Sequence, residues 1–254
     1  MNGVFDDPAG EEPRDPMRSA AQPRPLPKRF YKTADYAAEG DGFVVRLDGK
    51  TVRTPAKLLL RVDREAVAAA LAAEWAAQGT LIDPATMPLT RLVNSAIDGV
   101  ARDPGPVRDE ILRYAESDLL CYRAPGPARL VEQQDALWTP LVEWMHERFG
   151  ARFLLAEGIV HVPQFPETIA AVDAALGDPD PLALAALSTV NTLTGSAILT
   201  LALLHGRLNA EEVWRAAHVD EDFELELWGD DKEAAARREA RWQEMQAAAL
   251  VLAA

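Results

Sequence analysis

Cysteine is nearly absent: Cys121 stands alone among 254 residues. A single thiol excludes an intramolecular disulfide and any zinc cluster built on cysteines. It also fits a reducing compartment, since secreted folds use cysteines in pairs. Histidine is scarce too. His146, His161, His205 and His218 lie too far apart in sequence for an i, i+4 metal-binding pair. The chain has no P-loop, no GxGxxG, no GxSxG, no HExxH and no EF-hand loop. Bases are outnumbered, 26 Lys and Arg against 40 Asp and Glu, for a net charge of -14. That balance speaks against nucleic acid and anionic lipid surfaces, both of which attract cationic patches. The first 27 residues lack the apolar run of a signal peptide. They carry Asp6, Asp7, Glu11, Glu12 and Asp15, whereas transit peptides are poor in acids. The expected location is therefore the cytoplasm.

Hydrophobic residues make up 48% of the chain and charged ones 26%, the proportions of a globular protein. Residues 1–27 differ: they hold six of the 18 prolines and few large apolar side chains. They are expected to form a disordered tail. Residues 28–98 read as a small α+β domain. The segments 42–47 and 50–54 flank Asp48-Gly49, a strong signal for a type I′ hairpin. Residues 58–62 offer a further strand, and 30–36 a first one. Residues 64–78 then carry Val67, Leu71 and Trp75 on one helical stripe that can cover the sheet, with Asp63 as expected cap and Gly79 as stop. Leu89 to Ile97 reads as a further short helix.

Residues 99–254 read as a helical domain. Pro140 interrupts an apolar pattern, so a helix kinks there or a new one starts with Thr139 as its cap. Residues 152–155 and 159–162 read as short extended pieces. Between Asp180 and Arg207 no residue is charged. That length could span a bilayer. Its Ser, Thr and Asn content and its missing interfacial anchors favour buried core helices instead, one or a pair broken near Thr194-Gly195. Asn209 with Glu212 and Asp230 with Glu233 both fit the capping-box spacing, and Gly229 is placed to end the helix that starts at Asn209.

The densest polar cluster runs from His218 to Glu226. Seven acids and no base occur from Asp220 to Asp231. On a helix, His218, Glu221, Asp222 and Leu225 would share a face. One imidazole and two carboxylates could ligate a metal, which makes a metal-dependent enzyme one alternative. A solvated acidic face and an acidic protein-interaction module are the others. The six tryptophans all fall on expected helices, where packing is their ordinary role and a groove-exposed subset would suit a binding hot spot. Cys121, with no histidine nearby, reads as a small core residue.

Several stretches together resemble the assembly chaperones of the F1-ATPase α subunit. They are Arg29-Phe30-Tyr31-Lys32, Leu47 through Lys57, Glu74-Trp75 with Gln78, and Met87-Pro88-Leu89-Thr90 with Asn94, Ala96 and Asp98. Tyr114 with Asp118 through Arg123, Gln134 with Trp138, and Trp228-Gly229 complete the set. The resemblance implies a non-enzymatic chaperone without cofactor or metal. Such a protein binds free α, prevents its aggregation and yields to the β subunit as the catalytic head assembles. It implies an N-terminal α+β domain and a larger helical domain. With no heptad pattern or exposed edge strand evident, the chain is expected to be monomeric when free. In that family a glutamate shortly before the Trp-Gly pair matters for function. Spacing maps it onto Glu221, with Asp220 and Asp222 as neighbouring registers. Glu224 stands where relatives often carry glutamine. The partner-binding set implied is therefore Asp220, Glu221, Asp222, Glu224 and Trp228.

Overall fold

The computed structural model describes residues 25–158, 160–229 and 231–254. The expected tail thus lies outside the described residues except for its last three. Of these, Pro27 uses its carbonyl to accept from Ile82 N at 2.8 Å.

The sheet is built from β1 (Ala34–Glu39), β2 (Gly42–Leu47), β3 (Lys50–Thr51) and β4 (Arg61–Val62), all antiparallel, with β2 paired to each of the others. Asp48 and Gly49 both have positive φ, 48° and 78°, as the type I′ turn requires. The first strand starts later than residues 30–36 because Gly40-Asp41 makes a second two-residue turn that pairs Glu39 with Gly42. The helix α1 (Glu65–Ala76) covers the sheet and buries Val67, Ala68, Leu71 and Ala72. Asp63 does not cap it. Arg64 is the N-cap residue, and its guanidinium reaches Asp180 and the Val251 carbonyl.

The next helix, α2 (Pro88–Ser95), continues into one π-helical segment, Ala96–Val100. Its N-cap residue, Met87, has no side chain able to accept. Glu74 of α1 substitutes, taking Leu89 N and Thr90 N, each at 2.8 Å. Two orphan amides thus depend on one distant carboxylate. Replacing Glu74 by alanine is expected to destabilise the protein by about 2 kcal/mol, measurable by urea unfolding.

The helical part comprises α3 (Gly105–Glu116), α4 (Ala128–Phe149), α5 (Pro166–Leu176), α6 (Pro181–Thr194), α7 (Ala197–Leu204), α8 (Ala210–Ala217), α9 (Val219–Trp228) and α10 (Lys232–Ala253). Two short parallel strands, β5 (Tyr122–Arg123) and β6 (Ala156–Glu157), pair beside it. The pairing in this region falls at Ala156–Glu157 and not at 152–155, because the Gln164 amide occupies both backbone groups of Leu154. Ile159, in the second expected extended piece, lies outside the described residues. Pro140 sits within the unbroken α4, and Thr139 accepts from Arg123 rather than acting as a cap.

The uncharged stretch forms α6 and α7, separated by Gly195 at φ 67°. Six consecutive residues, Ala197 through Ala202, are buried. No helix among the described residues is long and apolar enough to cross a membrane. One continuous set of buried side chains joins Val45, Leu60 and Val62 of the sheet to Trp138, Leu187, Ile198 and Met245 of the helices. Cys121 is buried in it, and burial raises its thiol pKa, so it is a packing residue.

Candidate partner-binding groove

The helix expected from Asn209 to Gly229 is two helices with a break at His218. Asn209 and Glu212 form a full capping box at the start of α8. At its end the imidazole intervenes. Continued helix would give the Trp214 carbonyl to His218 N. Instead His218 Nδ1 donates to that carbonyl at 2.7 Å, while its backbone N–H turns to Arg215 O. A side chain that competes in this way for a backbone acceptor ends the helix. The imidazole is 2% exposed, stacked on Trp214 with centroids 3.9 Å apart. Burial lowers its pKa, so the ring is neutral near pH 7.

After the break, α9 presents two faces. Val219 and Phe223 point inward. Glu221, Glu224, Leu225 and Trp228, spaced i, i+3, i+4 and i+7, line a groove of about 800 Å³ against α10. Trp214, Trp242, Ala234 and Ala235 also line it, with Arg237, Arg238 and Arg241 among its charged groups. Trp228 is 85% exposed, with Leu227 beside it at 57%. Gly229, at φ 83°, ends α9 as expected. Asp231 is the N-cap residue of α10 but makes no side-chain cap bond, and Asp230 lies outside the described residues.

Three of the five expected site residues therefore meet in the groove: Glu221, Glu224 and Trp228. The other two are engaged elsewhere. Asp220 accepts from Gln134 Nε2 of α4 at 2.7 Å, and Asp222 pairs with Arg238 of α10 at 2.5 Å. Glu226 pairs with Arg129 of α4. These cross-helix bases offset the acidic run that lacks local ones, and its sequence offers no sign of them. Glu221 stays half exposed, 3.8 Å from His218 Nε2 and 3.9 Å from Arg241.

The metal alternative does not survive this geometry. Asp222, one of the three ligands it needs, is turned to Arg238. Among the described residues no three His, Cys, Asp or Glu side chains converge.

The sheet-and-helix fold is shared with solved structures. The Agrobacterium tumefaciens Atu1473 protein, which bears a provisional chaperone name, is 50% identical over 90% of this chain and 86% of its own, with a TM-score of 0.84. Atp12 from Paracoccus denitrificans is 38% identical over 89% of this chain and 97% of its own, with a TM-score of 0.80. The mitochondrial protein atp12 of Schizosaccharomyces pombe is 24% identical over 228 residues, 85% of this chain and 78% of that protein. The family model described as ATP12 chaperone protein matches residues 28–146. By class, then, the molecule is a chaperone and not an enzyme. It belongs to the ATP12 family of ATP synthase assembly factors.

Proposed function

We propose that this protein binds the free α subunit of F1-ATPase through the groove between α9 and α10, and holds it until the β subunit takes its place. The observation that supports this is Trp228: a large aromatic side chain left almost wholly in solvent at the lip of a groove floored by Trp214, Leu225 and Trp242. A folded protein gains nothing by exposing an indole there, whereas interface hot spots are enriched in tryptophan. An unassembled subunit exposes the surface its neighbour will cover, and such a patch aggregates unless shielded. Glu221 and Glu224 beside the indole supply steering and partner choice. They also make the contact salt-sensitive, which eases hand-over. The single buried thiol fits a reducing compartment, the cytoplasm in a bacterial cell.

The test is co-purification of isolated α with this chain, followed by a salt titration. Glu221→Lys is expected to weaken the complex by about 1–2 kcal/mol at low salt, with a melting temperature close to that of the parent protein. The new ammonium would stand near Arg241 and His218, so this part of the groove loses a carboxylate and gains a positive charge while the core is untouched. A Glu221→Lys protein that protects α from aggregation as well as the parent would show that Glu221 is not at the contact.

A further inference from the structure

We infer that the groove between α9 and α10 receives an amphipathic client segment in which one arginine is set between apolar side chains. The inference rests on the chaperone reading above and adds the chemistry of what is bound.

Charge sets the first constraint. The three groove guanidiniums are already committed. Arg237 pairs with Glu233 at 2.6 Å, Arg238 with Asp222 at 2.5 Å, and Arg241 donates to the Leu193 carbonyl at 2.8 Å. Counting those two outside partners with the lining residues Glu221, Glu224, Asp231 and Glu239, six carboxylates face three guanidiniums. Glu224 makes no hydrogen bond or ion pair among the described residues. Among the same residues Glu221 has only the two distant neighbours already given. The groove is thus short of positive charge.

Geometry sets the second. Glu221, Glu224 and Trp228 occupy successive turns of one helix face, so a group that contacts Glu224 is also within reach of the indole. Arginine serves both. Its planar guanidinium forks onto carboxylates and stacks on aromatic faces, whereas an ammonium does the first only as a point charge. Apolar constituents set the third. Leu225, Trp214, Trp242, Ala234 and Ala235 offer nothing to a polar flank but would bury apolar ones, so the residues around the arginine must be hydrophobic. The volume, about 800 Å³, is of the size that takes a few side chains rather than a whole helix.

The experiment titrates the full chain with the acetylated, amidated peptide Gly-Leu-Leu-Arg-Leu-Leu-Gly and with its citrulline counterpart, which keeps shape and loses charge. Calorimetry reads affinity, and tryptophan fluorescence of the parent and of Trp228→Phe locates the contact. The arginine peptide is expected to bind at least about tenfold more tightly at low salt. Glu224→Gln, a solvent-exposed change that leaves the fold alone, should remove most of that preference. Equal affinity for the two peptides overturns the inference, as does an arginine preference that Glu224→Gln and Glu221→Gln leave intact. So does the absence of binding by either peptide at about 1 mM. If neither peptide binds while α still co-purifies, the α-chaperone function stands and only the chemistry of the bound segment is wrong. If the arginine peptide binds and α does not co-purify, the groove chemistry stands and the client is another protein.

Discussion

Replacing Asp118 by alanine is expected to destabilise the fold by about 3 kcal/mol, lowering the melting temperature by on the order of 10 °C. The carboxylate is wholly buried, and among the described residues no cation pairs with it. Oδ1 accepts from Ser196 Oγ at 2.7 Å and Leu120 N at 3.0 Å, and Oδ2 accepts from Ile198 N at 3.0 Å. Ser196 in turn caps α7 by accepting from Leu199 N. One side chain thus holds the 3₁₀ turn Leu119–Cys121 against the break between α6 and α7. Alanine would leave these donors buried without an acceptor, which is the costly way to lose a hydrogen bond.

The same group predicts a pH dependence. Burial pushes the Asp118 pKa up to about 6, against an ordinary value of 3.8, and the hydrogen bonds it accepts only partly oppose it. The folded state therefore holds this proton more tightly than the unfolded chain. Its stabilising contribution is fully present below about pH 4, declines as pH rises to about 6, and is flat beyond. Asp118→Asn should lack that decline. Urea midpoints measured from pH 4 to 7 compare the two proteins, and parallel profiles would show that Asp118 does not titrate in this window.

Trp228→Ala should do the opposite: leave stability within about 0.5 kcal/mol and weaken α binding by about 2 kcal/mol, close to 30-fold. The indole is 85% exposed, so its removal opens no cavity. A titration of isolated α, run beside thermal unfolding, separates the two effects. Trp138→Ala is the contrast. Trp138 is fully buried, its Nε1 donating to the Ala216 carbonyl at 2.7 Å, and its loss should cost about 3–5 kcal/mol whatever the client. If Trp228→Ala binds α normally, the exposed lip is not the contact surface.

Many of the residues that carried the family resemblance turn out to be polar staples inside the fold. Glu74 serves the amides of Leu89 and Thr90. Gln78 accepts from Asp83 N, and Asp98 accepts from Thr54 Oγ1 and Ala56 N. Gln134 joins Ala124 N to Asp220. A buried backbone amide without a partner is expensive, so the few side chains able to reach it give the sequence a recognisable pattern. The fold was legible through them. The groove was legible only in part. Glu221, Glu224 and Trp228 recur at helical spacing and stay together in space, whereas Asp220 and Asp222 share the same acidic run and turn away. Spacing along one helix says which residues share a face; it does not say what lies opposite that face.

The sequence by itself determined the local features: the Asp48-Gly49 hairpin, the stop at Gly229, the capping box at Asn209, and the acidic stripe ending at Trp228. Each depends on φ preferences or on side chains within a few residues, so each can be read without the rest of the chain. Only the tertiary structure decided that α8 and α9 part at His218, that Glu74 caps a helix it does not belong to, and that Asp222 belongs to Arg238. It also decided which acids remain free to meet a client. Asp220 is held by Gln134, 86 residues away. A charge becomes a binding group or a staple according to which element folds against it, and that pairing is settled by packing across the molecule rather than by the order of residues.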